Sequence, residues 1–162
     1  MIKKISILSF SLLVFALYSC SKSTVADATA NNASGAASLD GGSSTPLNGY
    51  GMVYKSDSSV HTLSIVNSDA SNFMTWQAGA QNSVNVFLTS NSAFKVGTYK
   101  GSACSVDLTI KGRGYYSNHA ATDSVVITTL TSTAVAGTYS FSVLDSLDKK
   151  HPVSGSFSGS IK

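Results

Sequence analysis

Eight aspartates and no glutamate supply every carboxylate side chain of this 162-residue sequence, so a general acid–base pair would have to be built from Asp alone. Asp57, Asp69, Asp145 and Asp148 fall in predicted turns, where the Asp side chain hydrogen-bonds its own backbone. Asp107 alternates onto an outer strand face and Asp123 precedes a strand, so a structural role suffices for each. His61, His119 and His151 lack the H-x-H or H-x-x-x-H spacing that sets two imidazoles on one side of a metal, and the last two read as solvated loop histidines. Serine is abundant, yet no G-x-S-x-G elbow occurs. The nearest string, Gly155-Ser156-Phe157-Ser158-Gly159, sits in a strand-like alternation. Gly112-Arg113-Gly114 lacks the further glycines and the following helix of a phosphate loop. The residues therefore predict no catalytic group, no metal site and no cofactor.

Binding chemistry has one candidate. In Lys111-Gly112-Arg113-Gly114-Tyr115-Tyr116-Ser117-Asn118-His119, two glycines flank a guanidinium and two aromatics follow it. Arg113, Tyr115 and Tyr116 could present a stacking surface with polar donors to a sugar or peptide. Neighbouring strand residues point to opposite faces, so one Tyr is expected in the core and the other in solvent, and a plain twisted edge strand explains the same residues. Trp76, the single Trp, is read as a core residue.

Covalent chemistry is indicated at the N-terminus. Lys3 and Lys4 precede an apolar run from Ile5 to Leu17, and Leu17-Tyr18-Ser19-Cys20 closes it. A run this short is below the roughly 20 residues a spanning helix needs and reads as a signal peptide. Leu17, Ser19 and Cys20 resemble a bacterial lipobox, and Tyr18 departs from the small or apolar residue usual there. That resemblance implies diacylglyceryl transfer to Cys20, with palmitate as the expected acyl chain, and cleavage after residue 19. Ser21 is not the Asp that retains such products in the inner membrane, and no acidic cluster follows the Cys, so a periplasm-facing outer-membrane position is expected. Lipidation leaves Cys104 as the only thiol, which its neighbours do not activate and which is expected to be buried. Asp123-Ser124-Val125 and Asp145-Ser146-Leu147 resemble the acceptor triplet of Bacteroidetes O-glycosylation, making Ser124 and Ser146 candidate modification sites.

Charged residues make up 12% of the chain, about half the ~25% of an average globular protein. That scarcity argues against a helical intracellular protein, and the scattered Lys residues argue against a nucleic-acid partner, which requires clustered cations. The formal charge of +3 falls to +1 once Lys3 and Lys4 are removed with the signal.

These groups need elements to position them. From Ser21 to Thr45 the chain is mostly Ser, Ala, Asn, Thr, Gly and Asp, with Lys22, Val25 and Leu39 and no aromatic residue, and too little apolar surface is available there to offset ordering entropy. Residues 20–46 are thus expected to be the lipidated Cys and a disordered tether reaching roughly 25 to 30 Å. Residues 47–162 are expected to form one all-β domain. Period-two alternation is clear in Val106-Leu108-Ile110, in Tyr139-Phe141-Val143 and in Val153 through Ile161. Further strands are expected at Tyr50–Lys55, Val60–Val66, Phe73–Gln77, Val84–Leu88 and Ser124–Leu130. Turn pairs such as Asn48-Gly49, Asp57-Ser58 and Asn67-Ser68 separate them. About eight to ten short strands at this spacing predict an antiparallel β-sandwich or barrel-like sandwich, and the glycines of the last strand favour strong curvature.

The order Val84-Asn85-Val86-Phe87-Leu88, Gly97-Thr98-Tyr99, Val125-Val126-Ile127-Thr128, Gly137-Thr138-Tyr139-Ser140-Phe141 and Val153-Ser154-Gly155-Ser156-Phe157 resembles a group of small Bacteroidetes outer-membrane lipoproteins of unknown function. The likeness covers roughly residues 80 to 162. It implies a β-sandwich-like domain at the outer membrane and no assigned activity. The expectation is a lipid-anchored, non-enzymatic binding or interaction module, held to the membrane by its acyl anchor, with an unknown protein or glycan partner. The alternative is a carrier of a small hydrophobic ligand or glycan, using the barrel interior or the Arg113/Tyr115/Tyr116 loop.

Overall fold

A computed structural model describes residues 34–71 and 73–161, with the side chains of Phe73 and Trp76 outside the described set. The lipobox, Cys20 and the core role expected of Trp76 therefore lie outside the described residues. The strands are β1 (Ser34–Leu39), β2 (Thr45–Leu47), β3 (Gly51–Asp57), β4 (His61–Ser68), β5 (Ser83–Ser90), β6 (Gly97–Lys100), β7 (Cys104–Ile110), β8 (Arg113–Ser117), β9 (Ser124–Leu130), β10 (Ala134–Leu144) and β11 (Lys150–Ser160). They form one curled antiparallel sheet, a half-barrel, in the order β2-β1-β11-β10-β8-β7-β5-β4-β3. β10 is long enough to serve two neighbours along one edge: its first part pairs with β9, which continues to β6, and Val143 and Leu144 pair with β8.

The all-β expectation holds, with eleven strands in place of eight to ten. Alternation is legible in the burial. Cys104, Val106, Leu108 and Ile110 are buried on the concave side, and Asp107 is exposed on the other. Val84, Val86 and Leu88 line up beside them, with Leu63 and Ile65 next in the sheet. Tyr139, Phe141, Val153 and Phe157 fill the space from the β10–β11 side. The glycines of β10 and β11 make room for these rings. Gly137 faces Phe157 across the ladder and Gly155 faces Tyr139, and a Cβ at either position would run into the opposite aromatic.

Three expectations need correction. The domain does not begin at Leu47: β1 lies within the stretch read as tether and pairs with β11 from Ser34↔Ser158 to Leu39↔Val153. Ala37 is buried and Gly35 packs against Asn67, so small residues are what the close approach of β1 to β4 requires. Phe73–Gln77 is a short α-helix, α1, in the connection between β4 and β5, which already pair with each other from His61↔Ser90 to Ser68↔Ser83. Asn67-Ser68 is no turn, since both residues are fully buried at the end of β4. The Asn67 amide donates to the Ser158 carbonyl at 3.1 Å, tying β4 to β11 across the barrel. Close by, a single parallel bridge between Val53 and Ile161 draws β3 onto the end of β11.

Candidate functional site

β7 and β8 form a hairpin whose turn is Lys111-Gly112, both at positive φ (52° and 74°). A two-residue loop with this backbone follows the sheet twist, and Asn or Gly is the residue that ordinarily takes its first position. The Lys111 backbone is held there from outside the hairpin. Its N–H donates to Asn82 Oδ1 at 3.0 Å, Gly112 N–H donates to the Gln81 carbonyl at 2.9 Å, and Asn82 is itself clamped by the Asp69 carboxylate at 2.7 and 3.1 Å.

Register decides where the following side chains go. Ile110 pairs with Arg113 and Leu108 with Tyr115, so Arg113 and Tyr115 share the concave face with the core residues of β7. Tyr116 pairs with Asp107 on the convex face, is 44% exposed, and donates its hydroxyl to Asp148 at 2.7 Å. The structure thus brings together two of the three residues expected to form one surface and turns the third away. β8 is also not an edge strand, being flanked by β7 and β10.

Arg113 and Tyr115 line a groove of about 630 Å³ at the mouth of the half-barrel, between the β7–β8 hairpin and the β1–β2 connection. Lys111 and Ile110 belong to the same wall, and Ser43, Ser44, Thr45 and Pro46 form the opposite one. Arg113 is the only arginine in the sequence. Neither its guanidinium nor the Lys111 ammonium makes an ion pair among the described residues.

The β1–β2 wall is fixed by a histidine that the sequence placed in solvent. His151 lies in β11 with its side chain only 12% exposed. Its Nδ1 is 2.8 Å from Asp40 and its Nε2 3.3 Å from Asp145, and the ring meets Tyr115 edge-on at 5.4 Å between centroids. The imidazole has a carboxylate at each nitrogen, and the hydrogen bond to Asp40, opposed in part by burial and assisted by Asp145, holds its pKa above the usual value. Asp145 is lowered, first by the backbone N–H groups of Lys149 and Leu147 and then by His151. Asp40 and Asp145 approach opposite edges of one ring, so the three do not converge on a cation, and no cluster among the described residues could hold a metal. Asp40 (φ 54°) and Gly41 (φ 69°) shape the turn that leaves β1. Asp-Gly is a strong hairpin signal, and it was available in the sequence to mark this loop as structured.

The remaining residues have structural explanations. Cys104 opens β7 at 2% exposure, and burial, with the Asp123 carboxylate adding to it, pushes its thiol up to about 11. Asp123, fully buried, accepts from the N–H groups of Ser142 (2.8 Å) and Ala120 (2.9 Å). His61 is bonded to Asp57 at 2.8 Å, and His119 is exposed at positive φ. Ser146 is exposed in the β10–β11 turn, whereas Ser124 is half-buried in β9, paired with Lys100 and Ser140.

The chain matches no family model, no curated protein and no solved structure.

Proposed function

We propose that this protein is a lipid-anchored, non-enzymatic binding module of the bacterial outer membrane whose contact site is the groove at the barrel mouth. Leu17, Ser19 and Cys20 support the anchor. The observation that carries the binding role is the placement of the sole Arg, without an ion-pair partner among the described residues, beside a half-buried Tyr in a groove of about 630 Å³. A cleft of this size with a few convergent polar groups is what a small-molecule or short-oligomer site requires. The alternative of a hydrophobic ligand carried inside the barrel finds less support, because Tyr139, Phe141 and Phe157 pack the interior at 3%, 4% and 2% exposure.

Two measurements test the reading. Radiolabelled palmitate should enter the full chain in a bacterial host and fail to enter Cys20→Ala. Immobilised envelope polysaccharides and peptidoglycan fragments should retain the purified chain and lose Arg113→Ala. Equal retention of both chains would remove the groove as the contact site.

A further inference from the structure

Resting on the groove as the binding site, the geometry points to a carboxylated saccharide, a uronic-acid type of sugar chain, as the class of ligand it takes. Three features of the groove select this chemistry. The first is charge. Lys111 and Arg113 stand on one wall, two cations without ion pairs among the described residues, in a chain that is only 12% charged. The acids at this end of the barrel, Asp40 and Asp145, are directed onto His151, and neither forms an ion pair with Lys111 or Arg113 among the described residues. Arg presents a planar fork that matches a carboxylate through two parallel hydrogen bonds, and the neighbouring ammonium adds a mobile point charge.

Shape is the second feature. The Tyr115 ring stands on the same strand face two residues beyond Arg113 and is held by the edge-on contact with His151. Such a fixed aromatic offers an apolar face beside the cation, which suits the flat side of a pyranose and has no counterpart in a bare phosphate or sulfate site. The third is the opposite wall, lined by Ser43, Ser44 and Thr45, residues whose hydroxyls both donate to and accept from groups such as those of a sugar. A peptide carboxylate would use the Arg equally, and the saccharide is preferred for the pyranose face it sets against Tyr115.

Lys111 adds a fourth observation of a different kind. It occupies the first position of a tight turn at φ 52°, where a Lys side chain is disfavoured and Asn or Gly would relieve the backbone. A charged residue at a strained position on the rim of the groove fits a role for its ammonium in binding.

The test is calorimetric titration of the purified full chain with a de-esterified uronic-acid tetrasaccharide, its methyl ester, a neutral glucose tetrasaccharide and a short acidic peptide. The acid form should bind at least tenfold more tightly than its ester or the neutral sugar. Arg113→Ala should weaken it by tenfold or more, Arg113→Lys by less, and Tyr115→Leu should cut saccharide affinity while circular dichroism shows an intact fold. Equal binding of acid and ester, lost in Arg113→Ala, would overturn the carboxylate and leave the groove in place. Binding of the acidic peptide alone would overturn the saccharide, and no binding of any probe would overturn the groove reading itself.

Discussion

Tyr139 and Gly155 stand opposite one another on β10 and β11, and the tyrosine ring occupies the space into which any larger residue at 155 would grow, while its hydroxyl reaches past the glycine to the Ala36 carbonyl at 2.9 Å on β1. One side chain therefore spans three strands. Burial drives the Tyr139 pKa well above the usual phenol value, so the hydroxyl stays protonated and remains a donor across the ordinary pH range. Phe157 over Gly137 repeats the arrangement in the opposite direction.

Gly155→Ala and Gly137→Ala should each destabilise the domain by about 1–3 kcal/mol or more, because the added methyl meets backbone oxygen as well as an aromatic ring and the strands must separate to admit it. Gly114→Ala, on β8 with open space where its Cβ would lie, is the matched control and should be nearly neutral. Urea midpoints of the three variants decide the matter, and similar values for all three would contradict the packing described.

The clamp on His151 should make stability depend on pH in a defined sense. A folded-state pKa raised above 6.5 means the imidazolium stabilises fully below about that value, and the contribution is lost as pH rises through the raised folded pKa. Asp145, lowered from 3.8, contributes above that value and loses its contribution as pH falls through the folded pKa. The clamp is thus strongest between about pH 4 and 6.5. Thermal midpoints of the parent and of His151→Gln should differ most near pH 5.5 and converge toward pH 9. A constant difference over that range would show that the protonated ring contributes nothing.

Lys111→Asn should raise stability by about 0.5–1 kcal/mol, since Asn accepts the left-handed backbone more readily, while weakening any anionic ligand of the groove severalfold. Denaturation and titration on the same preparation check both halves. A variant that is stabilised and binds unchanged would assign Lys111 to the turn alone.

Cys104 should be inert. In Cys20→Ala its thiol is the only one in the chain, and at 2% exposure with a pKa of about 11 it should react with a disulfide reagent at pH 8 only as fast as the fold opens. Asp123→Ala takes the side-chain acceptor from the part-buried Ser142 N–H and leaves the Ala120 N–H with Asn118 Oδ1 alone, and should cost about 1–3 kcal/mol, speeding that reaction accordingly. Rapid labelling of the native parent would show that the thiol is accessible after all.

Strands with strict alternation, such as β7, β10 and β11, were legible because each buries one face only, and that pattern survives in the sequence whatever lies next to it. β1 was not, because its packing is made by Gly35, Ala36 and Ala37, residues whose small size suits a crowded approach and also suits a disordered linker. Composition could not separate the two, and Asp40-Gly41 was the one local signal for a hairpin there. The candidate site was half legible. Arg113 and Tyr115 stood out by type, and strand alternation foretold that the two tyrosines would part without saying which would stay with Arg113. The partners of His151 lie 111 and 6 residues away, one on the wrong side of the expected domain boundary, so no local spacing could disclose the clamp.

β1 also gives the molecule a direction. The chain enters the sheet at Ser34, beside Ser158, and leaves β1 at Leu39, which lines the groove, so the two points are separated by the length of the strand, ~17 Å at ~3.3 Å per residue. With the proposed acyl chain on Cys20, the molecule would hang from one end of its barrel and hold the other toward whatever lies beyond the membrane surface. Several such molecules engaging one repeating polymer would then hold it with a combined avidity beyond what any single groove could supply.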